Sequence, residues 1–173
     1  MPQFASISRR PSEANFSLGL IYRFRENDIP LAKKYLFDLV DEFPGNQWIA
    51  AQATQTSFVQ LLEDKGTGFL ETEFDSLGTK YQITNPNILN GMGYYFMGQE
   101  KYDEALAIFL TNIKLYPDVA NGYDSLAECY LNMGNEELSI KYYKIAYKKF
   151  DTDETATDDF KTRVKEGIED RLA

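Results

Sequence analysis

Residues 87–116 read NILNGMGYYFMGQEKYDEALAIFLTNIKLY, and residues 121–150, which begin 34 positions later, read NGYDSLAECYLNMGNEELSIKYYKIAYKKF. At this offset large residues align with large ones and small residues with small ones. Self-similarity at a fixed period indicates a repeated structural unit. The aligned pairs include Leu89 with Tyr123, Gly93 with Ala127, Phe96 with Tyr130, Ala105 with Ser139, and Phe109 with Tyr143.

Each of the two stretches is predicted to form a pair of antiparallel helices. In the first stretch, apolar and small residues recur three and four positions apart from Leu89 to Phe96, the spacing that places side chains on one helical face. Asn85 and Pro86 are typical of a helix start, an N-cap followed by a first-turn proline. A polar turn at 98–101 separates this helix from the next, which Pro117 ends.

Both units resemble tetratricopeptide repeats, whose 34-residue pattern is W-x2-L-G-x2-Y, then A-x3-F, then P. The unit 86–119 carries the Gly, Ala, aromatic and Pro positions of that pattern, whereas in 120–153 Ser139 replaces the Ala and Asp151 the Pro. The resemblance implies an all-α fold, a right-handed αα-superhelix (solenoid) of about four helical hairpins closed by a C-terminal capping helix.

The rest of the chain is read in the same register. Residues 1–11 are predicted to be a flexible lead-in and 12–173 a single repeat domain, with units at about 12–45, 46–85, 86–119 and 120–153 and a cap helix at 154–172. The 46–85 unit is degenerate, with expected helices at 47–64 and 69–81. In the cap, an apolar stripe is expected at Ala156, Phe160, Val164, Ile168 and Leu172. In the 12–45 unit the repeat positions are Leu18, Gly19, Tyr22, Ala32 and Pro44.

A narrower resemblance covers the second half of the chain. The runs Leu89-Asn90-Gly91-Met92-Gly93-Tyr94 and Asn121-Gly122-Tyr123-Asp124-Ser125-Leu126-Ala127-Glu128 are similar to the C-terminal repeat extension of some bacterial α/β-hydrolase esterases and other serine hydrolases. This resemblance carries no catalytic residue. It implies an alternative function, the accessory module of a larger hydrolase whose catalytic domain is not in this sequence.

Composition and charge limit the classes of partner. The net charge of −9 disfavours nucleic acid, because binding phosphates requires clustered Lys and Arg, and it favours a basic or neutral partner over an acidic one. No apolar run approaches the roughly 18 residues of a membrane span, so membrane insertion is not expected. The single cysteine, Cys129, is predicted to be a buried packing residue. The compartment stays open: cytoplasmic, or periplasmic if the chain is cut from a longer precursor.

The sequence lacks the residue combinations that form common catalytic and metal-binding sites. The chain has no histidine, which excludes Ser-His-Asp and Cys-His pairs and histidine-containing zinc sites. It has neither a G-x-x-x-x-G-K-[ST] loop nor a G-x-G-x-x-G motif. The acidic run from Asp151 to Asp159 lacks the Gly and Glu of a calcium loop and is better explained by helix capping. We therefore expect no enzyme activity, no cofactor and no metal.

The remaining hypothesis is a protein-interaction scaffold that binds a peptide or protein segment. The tetratricopeptide resemblance implies that the first helices of successive units line a concave groove, with side chains at fixed positions of each unit facing it. Solvated polar residues would give the same pattern. Self-association through surface aromatic residues, with 12 Tyr and 12 Phe in the chain, is a third hypothesis. The implied groove positions chosen as partner-binding candidates are Asn87, Asn90, Tyr94, Asn121, Asp124 and Glu128.

Overall fold

The computed structural model describes residues 11–26, 28–81 and 83–172, so residues 1–10 of the predicted lead-in lie outside the described residues. Within these ranges all regular structure is helical, which confirms the predicted all-α class. The chain divides into two compact units, Met1–Asp64 and Lys65–Ala173. The division falls inside the range predicted as a degenerate repeat, and the single domain over 12–173 stays a prediction.

The first unit contains a helical hairpin and the third helix. Gly19 lies against Leu36, because a Cβ added at Gly19 would be 2.8 Å from Leu36 Cγ. Ala32 and Leu36 are fully buried, and the rings of Tyr22 and Tyr35 stack with centroids 5.7 Å apart. The small-against-large contact predicted for a repeat is therefore present here. The helices are α1 (Pro11–Phe24), α2 (Ile29–Glu42) and α3 (Gln47–Lys65, all but its last residue in this unit).

Short polar side chains begin α2 and α3. Asp28 Oδ1 accepts a hydrogen bond from the Leu31 amide at 3.0 Å, and a proline lies in the first turn of α2. Asn46 Oδ1 accepts from the amides of Trp48 and Ile49 at 3.1 and 3.2 Å. These caps satisfy amides that have no partner inside the helix.

The second unit contains two successive helical hairpins followed by a terminal helix. The longer helices are α6 (Pro86–Met97), α7 (Tyr102–Leu115), α8 (Ala120–Asn132), α9 (Glu136–Lys149) and α10 (Asp158–Leu172). The α6 helix packs along α7, and α8 along α9; α7 also packs on α8, and α10 on α9. The first helices of the two hairpins, α6 and α8, contact each other directly. This is the neighbour-on-neighbour packing of a helical repeat.

The predicted repeat positions of these hairpins form their interior. A Cβ at Gly93 would be 2.4 Å from Phe109 Cε1, so the absence of a side chain there lets α6 approach α7. Tyr123 and Tyr130 are half-buried, and Pro117 is exposed just beyond the end of α7. Most side chains at these positions therefore lie between the helices. The buried members are Leu89, Gly93, Phe96, Ala105, Phe109, Ala127, Ser139 and Tyr143.

The turn inside each hairpin requires a left-handed backbone at one residue. In the second hairpin this residue is Gly134, with φ of 75°. In the first it is Glu100, with φ of 59°, 34 positions earlier in the sequence. Glycine adopts this conformation without steric cost, whereas glutamate does not.

The helix α8 has a cap that comes from far along the chain. Its N-cap residue, Val119, has no side-chain acceptor. Asp153 is 3% exposed, and its Oδ2 accepts from the Ala120 amide at 2.8 Å, while its Oδ1 accepts from the Thr155 amide at 2.8 Å. The acidic run after α9 thus supplies a helix cap, as its composition predicts, but for α8.

The single helix predicted at 69–81 is wrong. This segment forms α4 (Phe69–Thr72), a 3-10 turn (Phe74–Ser76) and α5 (Leu77–Lys80). The hydroxyls of Thr72 and Ser76 donate to the backbone carbonyls of Phe69 and Glu73, at 3.2 and 2.9 Å. Such local side-chain bonds compete with continuous helical bonding. Phe74, expected inward, is only half-buried, with Lys114 Nζ 3.9 Å from its ring centroid.

The terminal helix covers the last hairpin through a narrow apolar stripe. Ile168 is fully buried, and Phe160 and Val164 pack against the same core cluster, which includes Tyr143 and Phe150 of the α9 end. The helix begins at Asp158, so the predicted start at 154 is four residues early and Ala156 packs from the preceding turn. The side chain of Leu172 lies outside the described part.

Candidate functional site

Partner-binding candidates from two repeats meet on the surface formed by α6 and α8, here called the α6–α8 surface and defined by Asn90, Tyr94, Asp124 and Glu128. The Tyr94 hydroxyl donates to Glu128 Oε2 at 2.8 Å. The two residues are 34 positions apart, so equivalent positions of successive repeats touch. Burial raises the pKa of the Tyr94 hydroxyl; Ser125 acts in the opposite direction, and the charge of Glu128 raises the pKa further, so the hydroxyl stays a donor at neutral pH.

Asp124 is a half-buried carboxyl of this surface with a raised pKa. Burial, and then the like charge of Glu128, raise its pKa to about 6, although Arg171 acts in the opposite direction. Within the described part of the chain, no group donates a hydrogen bond to the Asp124 carboxylate. Because a half-buried carboxylate normally gains donors or a counter-charge, Asp124 has an unused capacity to accept hydrogen bonds.

Two further residues extend the site, one from α9 and one from α10. Tyr143 is 2% exposed, and its hydroxyl has no hydrogen-bond partner. Burial raises its pKa to about 12; Arg171 lowers it, and the charges of Asp124 and Glu128 raise it, so the hydroxyl lies within the field of both carboxylates. The Arg171 guanidinium lies over the Tyr143 ring at 5.4 Å and donates to the Gly167 carbonyl at 2.9 Å.

The three asparagine candidates are placed differently. Asn87 is exposed in the first turn of α6, and its amide donates to Asn85 Oδ1 at 3.0 Å. Asn90 is half-buried, with its Oδ1 enclosed and without a partner among the described residues. Asn121 is half-buried, and its carbonyl accepts from the Ser125 hydroxyl at 3.0 Å. Asn90 thus adds an acceptor without a hydrogen-bond partner, one helical turn before Tyr94, whereas Asn87 and Asn121 show no such role.

The edge of the α6–α8 surface is apolar. Tyr94 is 37% exposed and Leu131 43% exposed. At the same end, Asn132 Nδ2 lies 3.8 Å from Met97 Sδ and donates to the Glu128 carbonyl at 2.9 Å. Exposed apolar area beside open polar groups is typical of a surface that contacts a partner.

The described residues hold no group of three metal-ligating side chains. Cys129 is buried, as its sequence context predicts, and burial, followed by the charges of Asp103 and Glu128, raises the pKa of its thiol to about 11. A thiol in this state is a poor nucleophile. No helix in the described ranges has both the length and the hydropathy of a membrane span.

Four residues of the α6–α8 surface are candidates from the sequence, and their role in partner binding stays a prediction; Tyr143 and Arg171 were not among the candidates. Tyr143 was predicted only as a structural position of the repeat, and Arg171 was not predicted at all. The signal for Tyr143 is the hydroxyl itself, since a phenylalanine at this position, as in Phe109, would fill the interior without a polar atom.

Comparisons with known proteins give similarity of fold only. No protein-family model matches the chain, and no curated protein does. A solved structure of MamA from AMB-1 is 20% identical, with 82% of this chain and 80% of that chain covered and a TM-score of 0.45. Pseudomonas aeruginosa pilF is 19% identical over 93% of this chain and 74% of that chain, with a TM-score of 0.43. The P58(IPK) TPR domain is 17% identical over 95% of this chain and 47% of that chain, with a TM-score of 0.37. The resemblance of 86–153 to tetratricopeptide repeats therefore comes from the sequence register alone.

Proposed function

We propose that the chain is a non-catalytic helical-repeat scaffold that binds a peptide or protein segment along the α6–α8 surface. The observation that carries the proposal is the set of open acceptors there: the Asp124 carboxylate has no donor, and Asn90 Oδ1 is enclosed without one. Buried polar groups are ordinarily satisfied, so unpaired acceptors beside exposed apolar area favour an absent partner. The tetratricopeptide-like repeat agrees with this proposal, because such repeats present extended surfaces for binding.

The charge of the surface favours a basic or neutral segment. Asp124 and Glu128 are both acidic, and the whole chain carries a net charge of −9. An acidic peptide would add a third negative charge to a half-buried pair, which is unfavourable. The preference for basic partners, like self-association, stays a prediction. The alternative of an accessory hydrolase module gains no support from the described contacts, and none of the structures named above is described as a hydrolase.

The test is a selection from a random peptide library on the immobilised protein, followed by fluorescence anisotropy with the selected peptides. A variant with alanine at Asn90, Tyr94 and Asp124 is expected to bind them at least tenfold more weakly. The matched control carries alanine at Glu137, Ile140 and Lys144, three exposed residues of α9. If the first variant keeps the wild-type affinity and folds normally, the peptides bind elsewhere and the proposal is wrong.

A further inference from the structure

A positively charged face runs along the outer side of α9. Lys141, Lys144 and Lys148 are exposed, and their successive spacings of three and four positions place them on one side of the helix. Tyr143 and Ala146 are buried on the opposite side, in the core of the last hairpin. Within the described ranges none of the three lysines forms a salt bridge. The face formed by Lys141, Lys144 and Lys148 is here called the lysine face.

Neither the repeat nor the helix dipole accounts for the lysine face. At the equivalent positions of α7, 34 residues earlier, the only lysine is Lys114. Positive side chains are favoured in the last turn of a helix, which explains Lys148 but not Lys141 or Lys144. Glu137 lies on the same side, one turn before Lys141, so three positive charges face one negative charge. In a chain with a net charge of −9, this face is locally of the opposite sign.

The adjacent helix, α10, carries negative charge on its outer side. Asp159, Glu166 and Asp170 are exposed and lie opposite the fully buried Ile168. Arg163 lies on the same side, and none of the three carboxylates forms a salt bridge in the described part of the chain. The face formed by Asp159, Glu166 and Asp170 is here called the carboxylate face. Because α10 packs on α9, the two faces lie on neighbouring helices of the second unit.

We propose that the chain self-associates through a two-fold symmetric contact, in which the lysine face of one copy binds the carboxylate face of another. A two-fold axis brings the same two faces together twice, so each copy uses both. Complementary charge across an interface favours the matching partner and opposes others. Ile140, which is 41% exposed beside the lysine face, adds apolar area to the contact. This contact does not involve the α6–α8 surface, so the inference goes beyond the proposed function.

A second copy fits the two faces better than an anionic membrane or an acidic peptide does. A membrane surface attracts lysines but repels the carboxylate face on the adjacent helix and a chain with a net charge of −9. An acidic peptide would use the lysine face and leave the carboxylate face uncompensated. A second copy compensates both faces in one contact. Exposed ion pairs each contribute little, so we expect a dissociation constant on the order of 100 µM.

The experiment is sedimentation equilibrium of the full chain and two charge-reversed variants, at protein concentrations from about 10 µM to about 1 mM. The first variant carries Lys141→Glu and Lys144→Glu, and the second carries Glu166→Lys and Asp170→Lys. Each variant alone brings like charges together at both contacts of a symmetric pair, so each should self-associate at least tenfold more weakly than the wild type.

An equimolar mixture of the two variants should associate within about threefold of the wild type, because both contacts of the mixed pair again join opposite charges. The mixed pair has the same total charge as a wild-type pair, so this rescue does not come from net charge. If the wild type associates but the mixture does not, the two faces do not bind each other and the proposal is wrong.

A control variant with Lys34→Glu and Lys65→Glu tests the effect of net charge alone. It changes the net charge as much as the first variant does, at exposed positions outside both faces, and should self-associate within about twofold of the wild type. Equal loss in the control, or a wild type that stays monomeric up to about 1 mM, would overturn the proposal. If the monomeric wild type instead binds polyglutamate or phosphatidylserine vesicles through Lys141 and Lys144, the lysine face has another occupant and the second copy is wrong.

Discussion

Replacing Gly93 by alanine is expected to lower the free energy of unfolding by up to about 2 kcal/mol. The new Cβ would lie 2.4, 2.5 and 2.8 Å from Cε1, Cζ and Cδ1 of Phe109. Ordinary carbon contacts lie near 3.5–4.0 Å, so the ring has to move by roughly 1 Å. Phe109 is 0% exposed, and its movement displaces other packed atoms. Overpacking costs about 1–3 kcal/mol, which the better helix propensity of alanine offsets by about 1 kcal/mol.

The assay is urea unfolding monitored by far-UV circular dichroism, with Gly167→Ala as the matched control. Gly167 is also inside a helix, but its added Cβ would meet only the flexible end of Arg171, at 3.2 Å. That variant should therefore gain up to about 1 kcal/mol from helix propensity. Opposite signs for the two glycine variants would show that the contact, and not the glycine itself, decides the outcome.

A double-mutant cycle with Phe109→Leu tests the same contact directly. The smaller side chain removes the ring atoms that alanine would strike, so Gly93→Ala should cost less in the Phe109→Leu background. Additive effects of the two changes, or a stabilised Gly93→Ala variant, would refute the reasoning. The equivalent position of the next hairpin is Ala127, so the repeat itself accepts alanine there. A cost of alanine at Gly93 therefore reports the close spacing of α6 and α7.

The remaining predictions concern single residues of the second unit. Asp153→Asn should lower the free energy of unfolding by about 1–3 kcal/mol near neutral pH, measured by urea titration. Burial raises the pKa of Asp153, but hydrogen bonds from Thr155 and Ala120 outweigh burial and lower the pKa. The stability that Asp153 contributes is therefore present above the unfolded value of 3.8 and is lost as the pH falls through the folded pKa. Glu100→Gly should raise the unfolding free energy by about 1 kcal/mol, because φ is 59° there. The raised pKa of Asp124, about 6, means that its charged form opposes folding, so Asp124→Asn should stabilise the protein by about 1–2 kcal/mol above pH 6, an advantage that disappears as the pH falls toward 3.8. Cys129, with a pKa of about 11, should react with a disulfide reagent only after unfolding in urea.

The sequence predicts the contacts that depend on the repeat period. Residues 34 apart occupy equivalent places, so the register predicts which small residues lie inside the hairpins. It also gives Tyr94 and Glu128 equivalent positions in successive repeats, and the structure shows that they form a hydrogen bond. The same reasoning fails between 69 and 81, where the register itself fails. There the hydroxyls of Thr72 and Ser76 form local bonds that no apolar period reveals.

Contacts made by the end of the chain were beyond sequence reasoning. Asp153 caps α8 from 33 residues away, which depends on how the turn after α9 folds back. Arg171 reaches Tyr143 only because α10 packs on α9. Both depend on backbone placement that neither the period nor the composition specifies.

The apolar interior of the hairpins and the polar groups near the α6–α8 surface make opposite contributions to stability. Leu89, Phe96 and Phe109 are buried and contribute to folding through apolar area alone. Tyr143 holds an enclosed hydroxyl without a hydrogen-bond partner, and Asp124 is a half-buried carboxylate without a donor, which costs free energy in the unliganded chain. A donor that entered the site would remove this cost at the moment of binding, so the affinity for it would exceed that of the same contact on an exposed surface. Stability gained and peptide binding lost in the same variant, Asp124→Asn, is therefore the combination that distinguishes a binding site from a solvated acidic face.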